Sequence, residues 1–321
     1  MLSRVADNLY WMSRYLERAE HTARLVDVHL NLSLDQSRKM PAALRWQRLL
    51  ETLHLPVPET GIRDDYHGTQ IVAFDAKHPN SIVNAVTAAR ENARQVREKI
   101  SSEMWLQLNT LYLDVRRTTF DSIWNQQPHE FFQAIKTGAH LFQGITDSTM
   151  AHDEGWYFIQ FGRSLERALA IANMLDDQLR VLELSEREQT PETDDYFEWL
   201  GLLKFFTAFE AYCKVYTADL RPRRVAEFLL FNPTFPHSLR FCVEMMTSAL
   251  QSISEATNMS RNSRVHRQAG RLRSALSFDS IDDVITRGTH PYLQDIQRQC
   301  MQIHDAAYEN FITYPVESAL P

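Results

Sequence analysis

The chain has 321 residues, 44% of them hydrophobic, so it is long enough for a large core and, by length alone, for two domains or one duplicated unit. Its formal net charge is −7, from 34 basic and 41 acidic residues, which argues against a general binder of nucleic acid or of anionic membranes. The chain's 9 glycines and 12 prolines are few for this length and favour long helices with few connections.

Cysteine usage and the N-terminal residues bear on location. Cys213, Cys242 and Cys300 are odd in number and form no CxxC pair, which favours a reducing compartment. The first twenty residues carry charges every few positions and lack the apolar stretch of a signal peptide. No window offers the roughly 18 uninterrupted apolar residues of a membrane span. We therefore expect a soluble, cytoplasmic protein.

Apolar residues at helical spacing predict a long first helix over residues 2 to 33. With about 100° per residue, the apolar positions from Val5 to Leu30 gather on one face. The opposite face carries Asp7, Tyr10, Arg14, Glu17, Arg18 and His21. This pattern predicts one long amphipathic helix.

The rest of the chain also has helical periodicity. We predict a helix over 41–54, a loop over 56–68, helices from Ser81 through 103–115, and one or two helices over 129–153, interrupted near Gly138 and Gly144. Further helices are predicted over 154–184, 194–218, 222–230, 237–257, 259–277 and 291–312, with a polar linker over 184–195. No stretch alternates with period two for long enough to form a strand, so the chain is predicted to be all-α.

The first helix has a near copy in the second half of the chain. A shift of 149 positions aligns Arg14, Glu17 and Arg18 with Arg163, Glu166 and Arg167. A second similarity, at a shift of 157, pairs the segment from His78 with the segment from Phe235. We therefore predict a multi-helix bundle built by internal duplication, with related halves at about 1–148 and 149–321 and a pseudo-twofold arrangement of two central helices.

The charged face of these two helices has two interpretations. Arg14, Glu17 and His21 stand three and four positions apart, which is typical of exposed helix pairs worth about 0.2–0.5 kcal/mol each. Aromatic residues on or beside the same face instead indicate burial, where charges need partners or a ligand. On this second interpretation the catalytic candidates are Glu17, Arg18, His21, Glu166 and Arg167, and the ligand-binding candidates are Arg14 and Arg163.

Ala170 replaces His21 in the second copy, so a shared pocket would have the aligned imidazole on one side only. Structural pairing of His21 with Glu17 remains the alternative to catalysis. The helix after Ser81 adds Arg90, Glu91 and Arg94 as ligand-binding candidates.

Four arginines near the C-terminus, Arg261, Arg264, Arg267 and Arg271, could bind phosphates or an acidic partner, or could form a surface face matched by glutamates. Motifs for nucleotides, serine nucleophiles and zinc are missing, and only Glu51 and His54 have ExxH spacing. We therefore predict no metal and no cofactor.

Four segments together resemble the bacterial alpha-E domain family, all-helical proteins with ER signatures. They are LYWMSRYLERAEHTARL, GRSLERA, AARENARQVREKISSEMW and GRLRSAL. By this resemblance, which covers essentially the whole chain, the ER signatures fall on Glu17–Arg18 and Glu166–Arg167. The preceding arginines are then Arg14 and Arg163, and the glutamate of AREN is Glu91.

The resemblance also implies partners and a role. Members of the family are typically found with a circularly permuted ATP-grasp protein and a transglutaminase-like protease, which implies a peptide or amide-bond-forming system. We expect the helical component of such a cytoplasmic system, binding a carboxylate, amine or acyl-phosphate ligand at the paired Glu-Arg motifs. Since no nucleophile stands beside a base, binding or substrate presentation is favoured over independent catalysis. The alternative is a non-enzymatic helical scaffold, or a module that binds RNA or another polyanion through the C-terminal arginines.

Overall fold

The computed structural model describes residues 1–34, 41–125, 127–181, 193–258 and 263–313, and every regular element in these ranges is helical. In chain order the α-helices are α1 (Ser3–Ser33), α2 (Ala42–Thr52), α3 (Asp65–Phe74), α4 (Ile82–Gln95), α5 (Ser102–Arg117), α6 (Phe120–Asn125), α7 (Pro128–Thr149), α8 (Glu154–Val181), α9 (Thr193–Phe205), α10 (Phe209–Tyr216), α11 (Pro222–Phe231), α12 (Leu239–Ala256), α13 (Arg264–Phe278), α14 (Ile281–Arg287) and α15 (Thr289–Ala307). A 3-10 turn at Arg97–Lys99 precedes α5, and a π-helical turn at Tyr308–Ile312 follows α15. The chain is all-α, as predicted.

The two long ER helices, α1 and α8, pack directly against each other. Helix α1 also packs along α4 and α7, and α8 packs along α12 and α15. Gly162 of α8 lies at the point of closest approach: a Cβ there would collide with the Ser13 side chain and lie 2.6 Å from the carbonyl oxygen of Tyr10. Because both helices are surrounded, the polar as well as the apolar face of α1 is buried.

Helices α4 and α12 start in the same way in the two halves. Ser81 caps α4 by accepting a hydrogen bond from the Asn84 amide, and Ser238 caps α12 by accepting one from the Phe241 amide. Both serines are fully buried, so these caps satisfy helix-end amides that water does not reach.

A second pair of contacts also corresponds between the halves. His129 Nδ1 donates to Asp27 Oδ1 at 2.6 Å, and His290 Nδ1 donates to Asp176 Oδ1 at 2.6 Å. Asp27 and Asp176 are aligned by the shift of 149 positions. These contacts are consistent with the predicted duplication, which, with its halves 1–148 and 149–321, stays a prediction.

Several element boundaries differ from the prediction. The interruption near Gly138 and Gly144 is wrong, since α7 runs unbroken over both glycines and Gly138 packs against the Leu111 side chain. The helix predicted over 194–218 is divided into α9 and α10 at Thr207, which has a φ of 53°. Helices α3, α6 and α14 were not predicted. The polar linker over 184–195 falls largely outside the described residues, and its last three residues begin α9.

One hydrophobic core joins the halves, because side chains of α1, α4 and α7 belong to the same buried cluster as those of α8, α12 and α15. Among the helices that the structure describes, none is both long and apolar enough to cross a membrane.

Candidate functional site

Glu166 of the second ER motif binds two arginines of the first helix. Its Oε2 accepts from Arg14 Nε and its Oε1 from Arg18 Nε, each at 2.7 Å. Burial on its own would raise the pKa of Glu166, but the adjacent Arg14 and Arg18 outweigh it and hold the pKa at about 2. The carboxylate is therefore ionised at neutral pH and forms a charge-assisted bridge between α1 and α8.

Glu17 of the first ER motif makes the reciprocal contact. Its Oε1 accepts from Arg167 Nε at 2.6 Å, and its Oε2 accepts from Gln143 Nε2 at 3.1 Å. Burial opposes ionisation of Glu17, yet the charges of Arg167 and His21 keep its pKa well below the usual range. Each ER glutamate thus pairs with the arginine of the other motif.

The arginines that precede the two motifs do not make equivalent contacts. Arg14 binds Glu166 directly, whereas its aligned counterpart Arg163 donates to Gln160 and has no carboxylate within 4.0 Å among the described residues. Burial and the like charge of Arg167 lower the pKa of Arg163. Beside the pair of Glu17 and Arg167, His21 Nε2 lies 3.1 Å from Glu17 Oε1.

Aromatic side chains hold Arg14 in place. Its guanidinium lies 4.7 Å from the ring centroid of Trp11, and its Nη1 donates to the Tyr10 hydroxyl at 2.9 Å. That hydroxyl is 2.7 Å from Nδ1 of His304 on α15. The aromatic residues of the repeated motif therefore pack around the charged face, as a buried polar layer requires.

An open cavity of about 620 Å³ lies beside the paired motifs. Arg14, Arg18, His21 and Glu166 line it, whereas Glu17 and Arg167 are not among its lining residues. Ala170 also faces the cavity, so the position aligned with His21 presents a methyl group there. The cavity is therefore chemically asymmetric, with an imidazole on α1 and a methyl group at the aligned position of α8.

The cavity wall includes polar residues that the sequence analysis did not single out. These are Thr22, Thr52, Asn80, Asn173, Gln294, Gln297 and Arg298, together with His54, which was considered only for its ExxH spacing. Arg18 Nη1 donates to Asn80 Oδ1 at 2.5 Å. His54, in the left-handed region with a φ of 53°, has Nε2 3.3 Å from Asn173 Nδ2. These residues lie on α1, at the end of α2, in the segment before α4, on α8 and on α15, and no sequence motif links them.

A cluster of two imidazoles and one carboxylate adjoins the cavity. Glu17, His21 and His237 are all buried, and one ligand atom of each lies within 4.8 Å of the others. His237 stands immediately before the cap of α12, and burial together with Arg167 lowers its pKa to about 3. Sequence reasoning missed His237 because only the fold brings it to α1.

The candidates Arg90, Glu91 and Arg94 lie elsewhere. None of them lines the cavity, and Arg94 Nη2 pairs with Glu91 Oε1 at 2.5 Å on the protein surface. The Arg90 guanidinium lies 5.1 Å from the ring centroids of Trp105 and Tyr112, so this side chain of α4 contacts α5.

The C-terminal arginines also lie away from the cavity. Arg264, Arg267 and Arg271 are exposed on α13, and Arg264 Nη1 is 3.2 Å from Glu309 Oε2. Arg261 falls outside the described residues.

Fold and site together define an all-helical protein in which two Arg-Glu motifs on two central helices pair reciprocally beside a cavity. The chain belongs to the Alpha-E family, whose model describes a predicted alpha-helical domain with a conserved ER motif and matches residues 1–312. The resemblance noted from the sequence is confirmed.

Relatives of the chain come from mycobacteria. Uncharacterized proteins of Mycobacterium tuberculosis and Mycobacterium bovis are 23% identical to it over 330 residues, which cover 91% of this chain. The chain spans 36% of the length of these relatives. No solved structure matches the chain.

Proposed function

We propose that the cavity binds a small ligand carrying a carboxylate or phosphoryl group, and that the chain is the helical component of an ATP-grasp-linked system that forms or modifies amide or peptide bonds. The observation that carries the binding proposal is the bridge between Glu166 and the two arginines in the cavity wall. The link to an ATP-grasp partner rests on the family, and it is a proposal for this chain.

The charge of the cavity wall favours an anionic group. Arg14 and Arg18 contribute two positive charges and the ionised Glu166 one negative charge, so this part of the wall carries a net charge of about +1 at neutral pH. Guanidinium groups bind carboxylate and phosphoryl oxygens through charge-assisted hydrogen bonds. The anionic end of a ligand is therefore expected beside Arg18, the more exposed of the two arginines.

The remaining lining supports a ligand with a second polar group. Side-chain amides of Asn173, Gln294 and Gln297 offer carbonyl acceptors for an amine and N–H donors for a carbonyl. Leu25, Met174 and Phe205 supply apolar surface. A volume of about 620 Å³ falls within the range of small-molecule sites, and this combination of a few polar groups with apolar walls is typical of them. Amino acids, short peptides and their acyl phosphates have this chemistry.

Reconstitution tests the proposal. The purified chain is combined with a circularly permuted ATP-grasp protein from the same organism, and ATP-dependent product formation from a mixture of amino acids is followed by mass spectrometry. We expect product only with both proteins. Arg18→Ala should lower the rate at limiting substrate by at least about tenfold, since a hydrogen bond to a charged group contributes about 1.5–3 kcal/mol.

Matched variants separate the site from general effects of charge. Glu166→Gln breaks the pair with Arg18, and Glu17→Gln and Arg167→Ala each break the other pair. Arg223→Ala removes an exposed arginine paired with Asp282 and should leave product formation unchanged. Equal product formation with and without this chain would show that the partnership is wrong. Full activity of a folded Arg18→Ala variant would place the ligand elsewhere.

A further inference from the structure

We propose that Glu17, His21 and His237 bind a divalent first-row transition-metal ion, for which Zn²⁺ is the probe. The ligand atoms of these three buried side chains lie within 4.8 Å of one another. In a closed site at metal–ligand distances of about 2.0–2.2 Å, neighbouring ligand atoms are about 3–4 Å apart, so small side-chain rotations bring all three onto one ion. This inference goes beyond the proposed function and does not rest on it.

The donor set suits such an ion. Imidazole nitrogen and carboxylate oxygen are ligands for zinc and for the neighbouring divalent metals, and two imidazoles with one carboxylate leave at least one coordination position open. Glu17 and His21 are one helical turn apart on α1, which places their side chains on the same face. His237 approaches from the segment that leads into α12.

The environment of His237 determines which of its ring nitrogens carries the proton. Its Nδ1 is 2.7 Å from the carbonyl oxygen of Phe206, and because a carbonyl only accepts, Nδ1 must carry the proton. Nε2 then carries the lone pair that a metal ligand requires. A metal-binding histidine almost always donates its other ring N–H to a carbonyl or carboxylate in this way.

His21 provides an independent indication of a ligand. It is 95% buried, and neither ring nitrogen makes a well-formed hydrogen bond with the residues that the structure describes, although Nε2 lies 3.1 Å from Glu17 Oε1. A buried polar group without a partner destabilises the fold by about 1–3 kcal/mol. Coordination of an ion by Nε2 would give that nitrogen a partner.

Buried charges of both signs surround the cluster. Arg167 binds Glu17 at 2.6 Å and by itself would oppose a cation. Glu20 adds a second buried carboxylate whose Oε2 is 3.7 Å from His21 Nε2. Because Glu20 Oε1 also pairs with Arg24, the two carboxylates balance the charges of Arg167 and Arg24. Since His21 also lines the cavity, an ion here would adjoin the ligand site.

Metal titration of the full chain is the first test. The purified protein is stripped with a chelator and titrated with Co²⁺, whose visible d–d absorption reports direct coordination, and then with Zn²⁺ in competition. We expect one Co²⁺ per chain, displaced by Zn²⁺. His237→Asn keeps an N–H near the Phe206 carbonyl but removes Nε2, and Glu17→Gln keeps the side-chain shape. Each should weaken binding by at least about tenfold.

A matched histidine control excludes surface binding. His152→Ala removes an exposed imidazole outside the cluster and should leave the Co²⁺ spectrum and affinity unchanged. Circular dichroism checks that each variant is folded. Unchanged affinity in folded His237→Asn and Glu17→Gln, or loss of binding in His152→Ala, would overturn the proposal.

X-ray absorption of the Zn²⁺-loaded wild type identifies the metal ligands directly, so it tests the site even if the cluster variants do not fold. The expected first shell contains two imidazole nitrogens and one or two oxygens at about 2.0–2.1 Å. Absence of Zn²⁺ binding by the wild type, or a shell without two imidazoles, would contradict the site.

Discussion

Glu166 is the residue on which the pairing of the two motifs depends most. It is largely buried and holds both Arg14 and Arg18, so its removal leaves two guanidinium groups without their carboxylate. Loss of one partner of a buried ion pair is more damaging than replacement of the whole pair, because the remaining charge stays desolvated.

We therefore expect Glu166→Gln to lower the free energy of unfolding by about 3–5 kcal/mol. Urea denaturation followed by circular dichroism measures this change. Glu244→Gln is the control, because Glu244 pairs with Arg240 one helical turn away at a partly exposed position, and its loss should cost at most about 0.5 kcal/mol. Similar losses in the two variants would mean that the reciprocal pairs are no stronger than surface pairs.

The low pKa of Glu166 predicts how stability depends on pH. Its pKa is about 2 in the folded chain against an ordinary value of 4.5, so the unfolded chain binds the proton first on acidification. The stabilisation is fully present above about pH 4.5 and is lost as the pH falls towards about 2, by on the order of 3 kcal/mol. Denaturation midpoints between pH 6 and 2 should fall less steeply for Glu166→Gln than for the wild type. Parallel curves would contradict this prediction.

Individual residues differed in how far the sequence could place them. Arg14, Glu17, Arg18, Glu166 and Arg167 could be selected because the motif occurs twice and each copy has aromatic neighbours. Their exact partners could not be predicted from the sequence, since Arg14 and its counterpart Arg163 have the same sequence context but different contacts. His237 and the amides of α15 have no local signal, because their role depends on tertiary proximity alone.

At the scale of helices, the crossing of α1 and α8 depends on a small residue. Gly162 faces Ser13 and the Tyr10 carbonyl oxygen, and the helix backbone there cannot move away without disturbing the ion pairs four and five positions further along. A Cβ at this point forces the two helices apart.

We expect Gly162→Ala to destabilise the protein by about 1–3 kcal/mol through overpacking. Gly270→Ala is the matched control, since Gly270 also lies inside a helix but has no atom within 4 Å of the added Cβ. That control should stabilise the protein by about 0.5–1 kcal/mol through helix propensity. Thermal unfolding of both variants measures the difference, and equal shifts in the same direction would contradict the close approach.

Long helices were predictable and short ones were not. Helices α1, α8 and α12 have several turns of apolar periodicity, so the pattern identifies them without ambiguity. Helices α6 and α14 have six and seven residues, which is too short for a periodic signal. Helix propensity predicts interruptions at the glycines of α7, but the packing of Gly138 against Leu111, which propensity does not include, keeps the helix continuous.

At the scale of the whole molecule, the two predicted halves share one core. Helix α1 packs against α8 and α9, and the buried cluster contains side chains from both halves. Residues 1–148 and 149–321 would each expose this shared surface, including one member of every reciprocal ion pair, if separated.

We therefore expect neither fragment to fold by itself. Expressed alone, each should lack the dispersed amide signals of a folded protein in NMR spectra, whereas co-expression should yield a soluble, folded complex of the two. A cooperative, folded 1–148 fragment would show that the halves are independent domains. The all-α class could be inferred from composition and periodicity, but this shared core could not, because it depends on which faces meet.

The reciprocal arrangement also changes what an ER motif signifies. Each copy supplies half of the contacts: its glutamate pairs with an arginine on another helix, and its arginine pairs with a glutamate there. A polypeptide with a single ER helix would leave both charges unmatched inside its core. Such a protein would have to obtain the missing half from a second subunit, through a twofold interface in which the same helix meets itself. The number of ER motifs in a chain would then predict whether it works as a monomer or as a dimer.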